Sequence, residues 1–164
     1  MNTISMTDSV DHDSPGVNLM PPMVFYTCLI VGGLLEFLFP QDFPLFSAPI
    51  RIGLGLIVGG AGFAFMGVAH EAFKRIGTNV PTNLPATAFV AHGAYRFSRN
   101  PMYVGGFAFF LGLGLVAGSL WMVFSSAILV LYLSVYVIPR EEAYMERMFG
   151  DDYREYRRRV RRWL

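Results

Sequence analysis

Residues 102–138 contain no Asp, Glu, Lys or Arg. As one straight helix that block would be about 55 Å long, against roughly 30 Å for the hydrocarbon core of a bilayer. It therefore has to fold back on itself. Gly118-Ser119 is the best turn, because Gly tolerates the backbone a turn needs and Trp121 just beyond suits a membrane interface. Two further stretches are nearly as apolar: 23–39, with Glu36 near its end, and 48–69, with Arg51 near its start. None has a polar face that water could solvate. Runs such as LGLGLVAG lack the polar/apolar alternation a membrane barrel requires, so their backbone groups must be satisfied within helices. The expectation is an all-α integral membrane protein with four transmembrane helices at about 23–39, 48–69, 102–118 and 119–138. A charged fraction of 15%, well under the roughly 25% of soluble domains, and a mean hydropathy of +0.44 exclude a disordered chain.

The 13 Lys and Arg residues orient the helices. Lys74, Arg75, Arg96 and Arg99 lie between the second and third spans; Arg140, Arg147, Arg154, Arg157, Arg158, Arg159, Arg161 and Arg162 follow the fourth. Residues 40–47 and the hairpin tip carry none. The positive-inside rule places the basic side, and both termini, in the cytoplasm. Residues 1–22 read as a flexible tail, acidic rather than basic and so unlike a cleaved signal. The rest, 23–164, reads as one domain. Gly55-x-x-x-Gly59 and the glycines at 105, 106, 112 and 114 predict close helix approach. The run GLGLVAG follows no strand and is no nucleotide loop. His70-Glu71 starts a zinc motif whose second His is replaced by Lys74, and no metal site is expected. A single Cys, Cys28, excludes a disulfide framework.

Chemistry is then expected on the cytoplasmic face, in 77–103 and 140–164. Pro101 suits a first helical turn with Asn100 as its cap, and the open N–H groups there, with Arg96 and Arg99, suit an anionic or polar ligand. Arg140, Glu141 and Glu142 sit where the fourth span leaves the bilayer, a position where ionisable residues are functional candidates. Tyr153, Tyr156, Val160 and Trp163 recur on one helical face bordered by arginines. That predicts a C-terminal amphipathic cytoplasmic helix lying on anionic lipid; nucleic acid is not expected, because Asp151, Asp152 and Glu155 interrupt the basic run.

Two of these stretches carry a resemblance. GAYRFSRNPMYVGG at 93–106, followed by Glu141-Glu142 and the F-G-x-x-Y-x-x-Y-x-x-x-V pattern ending at Val160, resembles the isoprenylcysteine carboxyl methyltransferase family and the related phospholipid methyltransferases. Gly77-Thr78-Asn79 fits as well. The likeness extends over about 50–164 and implies a membrane methyltransferase using S-adenosylmethionine, its cofactor part at about 77–164. It further implies cofactor contacts from Phe89, Val90, Tyr95, Asn100, Pro101, Met102, Tyr103 and Glu141. Two positions depart from the pattern. Asn100 stands where eukaryotic members commonly have His, and Val137 where they have a substrate-binding Arg. Arg140, three residues on, reads as close to the same helical face and able to replace it.

A water-soluble methyl donor and a membrane-dissolved acceptor meet only near the interface. A carboxylate acceptor needs positioning, the role expected of Arg140. An ammonium acceptor must first lose a proton, which Glu141 or Glu142 would take. The resemblance favours carboxyl O-methylation of an isoprenylcysteine-like group in a bacterial inner membrane. Phospholipid-type N-methylation, a reductase-like enzyme using NADPH, and a non-catalytic scaffold are the alternatives.

Overall fold

The structure is a computed structural model that describes residues 14–77 and 88–164. Those residues form helices and no strand. The five principal helices are α1 (Pro21–Leu38), α2 (Ala48–Ile76), α3 (Pro101–Ala117), α4 (Leu120–Tyr132) and α5 (Ile138–Arg159). A 3-10 turn, Gly93–Arg96, precedes α3, and a π-helical turn, Leu133–Val137, joins α4 to α5 in one continuous rod.

Among the described residues, three helices are long and apolar enough to cross a membrane: α1, α2 and the rod that begins at Leu120. The apolar part of that rod ends at Ile138. At 17 residues, α3 is apolar but shorter. The flexible tail expected over 1–22 is shorter where it is described. Helix α1 already starts at Pro21, and Val17 is buried in the core. The start of the tail, 1–13, lies outside the described residues. Helix α2 runs past the expected 69 to Ile76, stopping where Gly77 adopts φ 70° and donates to the Lys74 carbonyl. Its last turns carry the exposed Arg75–Glu71 pair.

The hairpin turns where its length requires. Gly118 has φ 70° and ends α3, and Ser119 accepts the Met122 N–H at 3.2 Å to start α4. Arg51, one turn into α2, donates through Nη1 to the carbonyls of Leu115 (3.1 Å) and Val116 (2.7 Å). It thereby covers the exposed carbonyls of α3 with a positive charge, as the helix dipole favours. Trp121 at the same end donates to the Phe39 carbonyl at 2.8 Å, tying the hairpin tip to the end of α1.

Packing runs α2 on α3, α3 on α4, and α4 on α1, with Phe25 of α1 also reaching Phe110 of α3. The α2–α3 seam is built from small residues. A Cβ on Gly62 would lie 2.7 Å from the Gly105 carbonyl oxygen, and one on Gly112 would run into the Gly59 backbone. Of the glycines expected to allow close approach, Gly114 meets α4 instead, and Gly106 meets only Met66 at 3.9 Å. Outward, the protein is apolar. Ile30, Leu34 and Phe37 on α1, and Phe124, Ile128 and Leu131 on α4 with Val135 in the π turn, stand exposed on successive turns, Phe37 at 82%. Hydrocarbon solvates such a surface and water does not.

A methyl group added at Gly112 should therefore force α2 and α3 apart. We expect Gly112→Ala to destabilise the detergent-solubilised protein by about 1–3 kcal/mol. Gly60→Ala, where an added Cβ meets nothing within 4 Å, should be neutral or stabilising by up to about 1 kcal/mol. Thermal unfolding of the two variants side by side checks this.

Candidate functional site: a tyrosine–glutamate link at the boundary of the bilayer

The two stretches singled out at the basic end of the bundle meet in space. Pro101 is the buried first residue of α3, where its missing N–H leaves nothing unpaired. Two residues on, Tyr103 donates its hydroxyl to Oε1 of Glu141 in α5 at 2.6 Å. Glu141 lies beyond the apolar span and is partly exposed. No second hydrogen bond to this carboxylate comes from the described residues. Burial pushes its carboxyl from 4.5 up to about 7; the Tyr103 bond pulls it down, and the neighbouring Glu142 charge pushes it further up. Tyr95 is buried beside this pair. Desolvation, the charge on Tyr156 and that on Glu141 raise its phenol.

Glu142 has a different environment. It is 5% exposed, and both oxygens are engaged. Arg99 Nη2 reaches Oε1 at 2.7 Å, and Arg162 reaches Oε2 at 2.7 Å and Oε1 at 3.2 Å. It offers no free oxygen to a substrate proton. Arg99, expected to help receive an anionic ligand, is committed here and to the Arg157 and Val160 carbonyls at 2.9 and 3.2 Å.

Asn100 is the residue before α3 but does not cap it with its side chain. The amide instead donates to the Arg162 carbonyl at 2.9 Å. Met102 and Val90 pack in a small core with Ala69, Ala72, Ala94 and Tyr95. Phe89 faces α5, its ring centroid 5.1 Å from Phe149, 5.7 Å from Tyr156 and 5.9 Å from Tyr153. Gly77 is described; Thr78 and Asn79 lie outside the described residues.

Arg140 requires a correction. It does not share the surroundings of Val137, which is fully buried. Arg140 is exposed, stacks 3.8 Å above the Tyr136 ring and donates to the Tyr136 carbonyl at 3.0 Å. Positions three apart in an α-helix differ by about 60° around the axis, and that offset takes Arg140 off the buried face that holds Val137.

The C-terminal amphipathic face is also used differently. Gly150, at φ 53° and ψ −123°, breaks α5 and redirects its second half. Tyr153 and Tyr156, expected on lipid, are buried, and Tyr156 donates to the Tyr95 carbonyl at 2.8 Å. Most neighbouring arginines have carboxylate partners. Arg154 pairs with Asp151 at 2.6 Å, Arg157 with Glu146 at 3.0 Å, and Arg158 and Arg159 with Glu155. Reading the sequence missed the pairing of Arg99 and Arg162 through Glu142. An acid four residues beyond an apolar span, with arginines on both sides in sequence, was the available signal.

The Phospholipid methyltransferase family profile matches residues 50–152, which includes both halves of this site. The chain belongs to the phospholipid methyltransferase family. It is a membrane methyltransferase by that membership and by its apolar helices. A Schizosaccharomyces pombe protein, Protein-S-isoprenylcysteine O-methyltransferase, is 35% identical over 81 residues, which is 43% of this chain and 30% of the yeast protein. An uncharacterized protein of Haemophilus influenzae is 46% identical over 55 residues, 30% of this chain and 87% of that protein. No solved structure matches the chain significantly.

The Glu141 shift makes a prediction about stability. A carboxyl whose pKa is higher folded than unfolded holds its proton more tightly in the folded state. Its contribution is complete below the unfolded value near 4.5 and is lost as pH rises through about 7. Between about pH 5 and pH 8 the wild-type melting temperature should fall by a component that Glu141→Gln lacks. Parallel pH-dependent melting curves that superimpose in slope would contradict it.

Proposed function

We propose that this protein transfers a methyl group from S-adenosylmethionine to a lipophilic acceptor at the cytoplasmic face of its membrane. In this reading the chain crosses four times, with α3 as the short span and both termini in the cytoplasm of a bacterial inner membrane. The observation that carries it is the Tyr103–Glu141 link, which joins the two halves of the family pattern at the boundary of the bilayer. The residues present suit the donor. Glu141 is a carboxylate with an oxygen to offer to ribose hydroxyls, and Tyr95 and Tyr103 supply aromatic walls. Bound there, S-adenosylmethionine supplies a methyl on a positively charged sulfur, already electrophilic. The protein's part is to align the acceptor with it and keep water out.

The acceptor is proposed to be the carboxylate of an isoprenylcysteine-like group, as the yeast relative's name suggests. Arg140 is exposed at the membrane edge, and only one of its nitrogens is tied to a neighbouring carbonyl. It is the candidate to hold that carboxylate as the lipid tail remains in the bilayer. One observation favours a second reading, N-methylation of a phospholipid-type amine. A carboxyl at about 7 is matched to removing a proton near neutral pH, and an ammonium acceptor needs that step while a carboxylate does not.

Purified protein incubated with methyl-labelled S-adenosylmethionine and membrane lipid extract tests both. Label that enters the lipid fraction and is released by base is a methyl ester; base-stable label is on nitrogen. No transfer and no binding of S-adenosylhomocysteine would overturn the proposal. Glu141→Gln should weaken donor binding by roughly 10- to 100-fold, the size of a lost charge-assisted hydrogen bond. Tyr103→Phe, which removes a single hydroxyl, should weaken it less.

A further inference from the structure

We propose that the last residues of the chain, 160–164, are a strap latched by Arg162 onto Glu142, and that its closure positions Asn100 and α5 for donor binding. Arg162 is then a positioning residue. The inference rests on the donor reading above for its second half only; the latch itself stands on geometry.

Helix α5 ends at Val160, which turns to an extended backbone and carries the chain back over the start of α3. There the strap meets a row of donors. The Arg99 N–H bonds the Arg161 carbonyl at 2.9 Å, and the Arg162 carbonyl accepts from Ser98 Oγ at 3.3 Å and Asn100 Nδ2 at 2.9 Å. Ser98 Oγ in turn accepts the Asn100 N–H at 3.0 Å. These are neutral hydrogen bonds, each worth about 1 kcal/mol net. The ion pairs are the stronger element. Glu142 is buried between two guanidiniums, and a carboxylate taken out of water is tolerated only when so paired.

The two cations are not equivalent. The Arg99 side chain is 10% exposed, belongs to the start of α3, and holds Glu142 whether or not the strap is down. The Arg162 side chain is 37% exposed and, among the described residues, is the strap's own charged tie to α5, while Arg99 Nη1 holds the Val160 carbonyl at 3.2 Å from the α3 side. Removing Arg162 therefore loosens the strap while leaving Glu142 one partner, so the fold should survive. The strap also carries Trp163, partly buried against the main core. Two residues beside the site depend on the closed arrangement. Asn100 has its amide fixed by the strap carbonyl, and Glu141 precedes Glu142 on the same turn of α5.

The test uses full-length protein in detergent with Trp121→Phe as the common background, so that Trp163 is the sole tryptophan. Acrylamide quenching of Trp163 reads the strap without any ligand, and calorimetric titration with S-adenosylhomocysteine reads the donor site. Arg162→Ala should raise quenching and weaken S-adenosylhomocysteine binding by roughly tenfold or more. Arg162→Lys, which restores a cation for Glu142, should return both toward the background values. Ser98→Ala, which removes two neutral bonds and no charge, should move both readouts in the same direction by less. Unchanged quenching in Arg162→Ala overturns the latch. Increased quenching with unchanged affinity overturns the positioning role, as does failure of Arg162→Lys to restore affinity. If the background protein itself binds no S-adenosylhomocysteine, the donor reading is overturned and the positioning role with it. That failure is distinguishable, because the quenching comparison needs no ligand.

Discussion

Hydrocarbon solvates neither an open helix carbonyl nor a lone charge, and the ends of the helices in this protein are arranged around that constraint. At the hairpin tip, the carbonyls that α3 leaves unpaired are covered by Arg51, which reaches across from α2. Arg51 is the one cation outside the basic side, and this contact is why a charge is found there at all. The space it occupies is available because residue 118 has no side chain: a Cβ on Gly118 would run into the guanidinium. One glycine thus serves the turn and the charge together. At the opposite end the same constraint gathers the ionisable groups within a turn or two of Ile138. There they can be paired with each other yet remain within reach of the aqueous phase.

The site follows from that placement. The proposed reaction, between something dissolved in lipid and something dissolved in water, needs a wall that belongs to both, and in that proposal α3 and α5 form it. Tyr103 is anchored in an apolar helix and Glu141 in a charged one, and their hydrogen bond joins the two. The neighbouring carboxylates are one residue apart and do different things. Glu141 has one described partner and feels its burial. Glu142 is held between two cations and works as a fastener. Paired acids in a sequence do not by themselves say which is which; the surrounding guanidiniums do.

What could be read from the sequence was governed by length, sign of charge and residue size. The back-fold at Gly118-Ser119 followed from a block too long for the bilayer, and the close α2–α3 seam from Gly55, Gly59 and Gly112. The readings that failed depended on helical register or on the partner of a charge. Arg140 was placed near the face of Val137 on the i, i+3 spacing, but Val137 is buried and Arg140 is exposed, stacked on Tyr136. The aromatic face of 153–160 was correctly identified as one face, but its partner was not. Gly150 bends the helix so that Tyr153 and Tyr156 meet Phe89 and the 3-10 turn. Nothing in the spacing of Arg99, Glu142 and Arg162, separated by 43 and 20 residues, announces a shared contact.

The departure at Asn100 acquires a physical meaning in this arrangement. An imidazole at this position would donate to the strap carbonyl through one ring nitrogen and titrate with an ordinary pKa near 6.5. An amide donates the same hydrogen bond and carries no titrating proton. With Asn100, the neutral contacts that hold the strap to α3, from the amide, the Ser98 hydroxyl and the main chain, are indifferent to pH around neutrality. Of the groups linking α3 to α5, Glu141 is then the one whose proton exchanges in that range. A pH profile of donor binding in this protein should for that reason contain a single transition belonging to the acid beside Tyr103. A second transition would have to come from the acceptor or from a residue outside this contact.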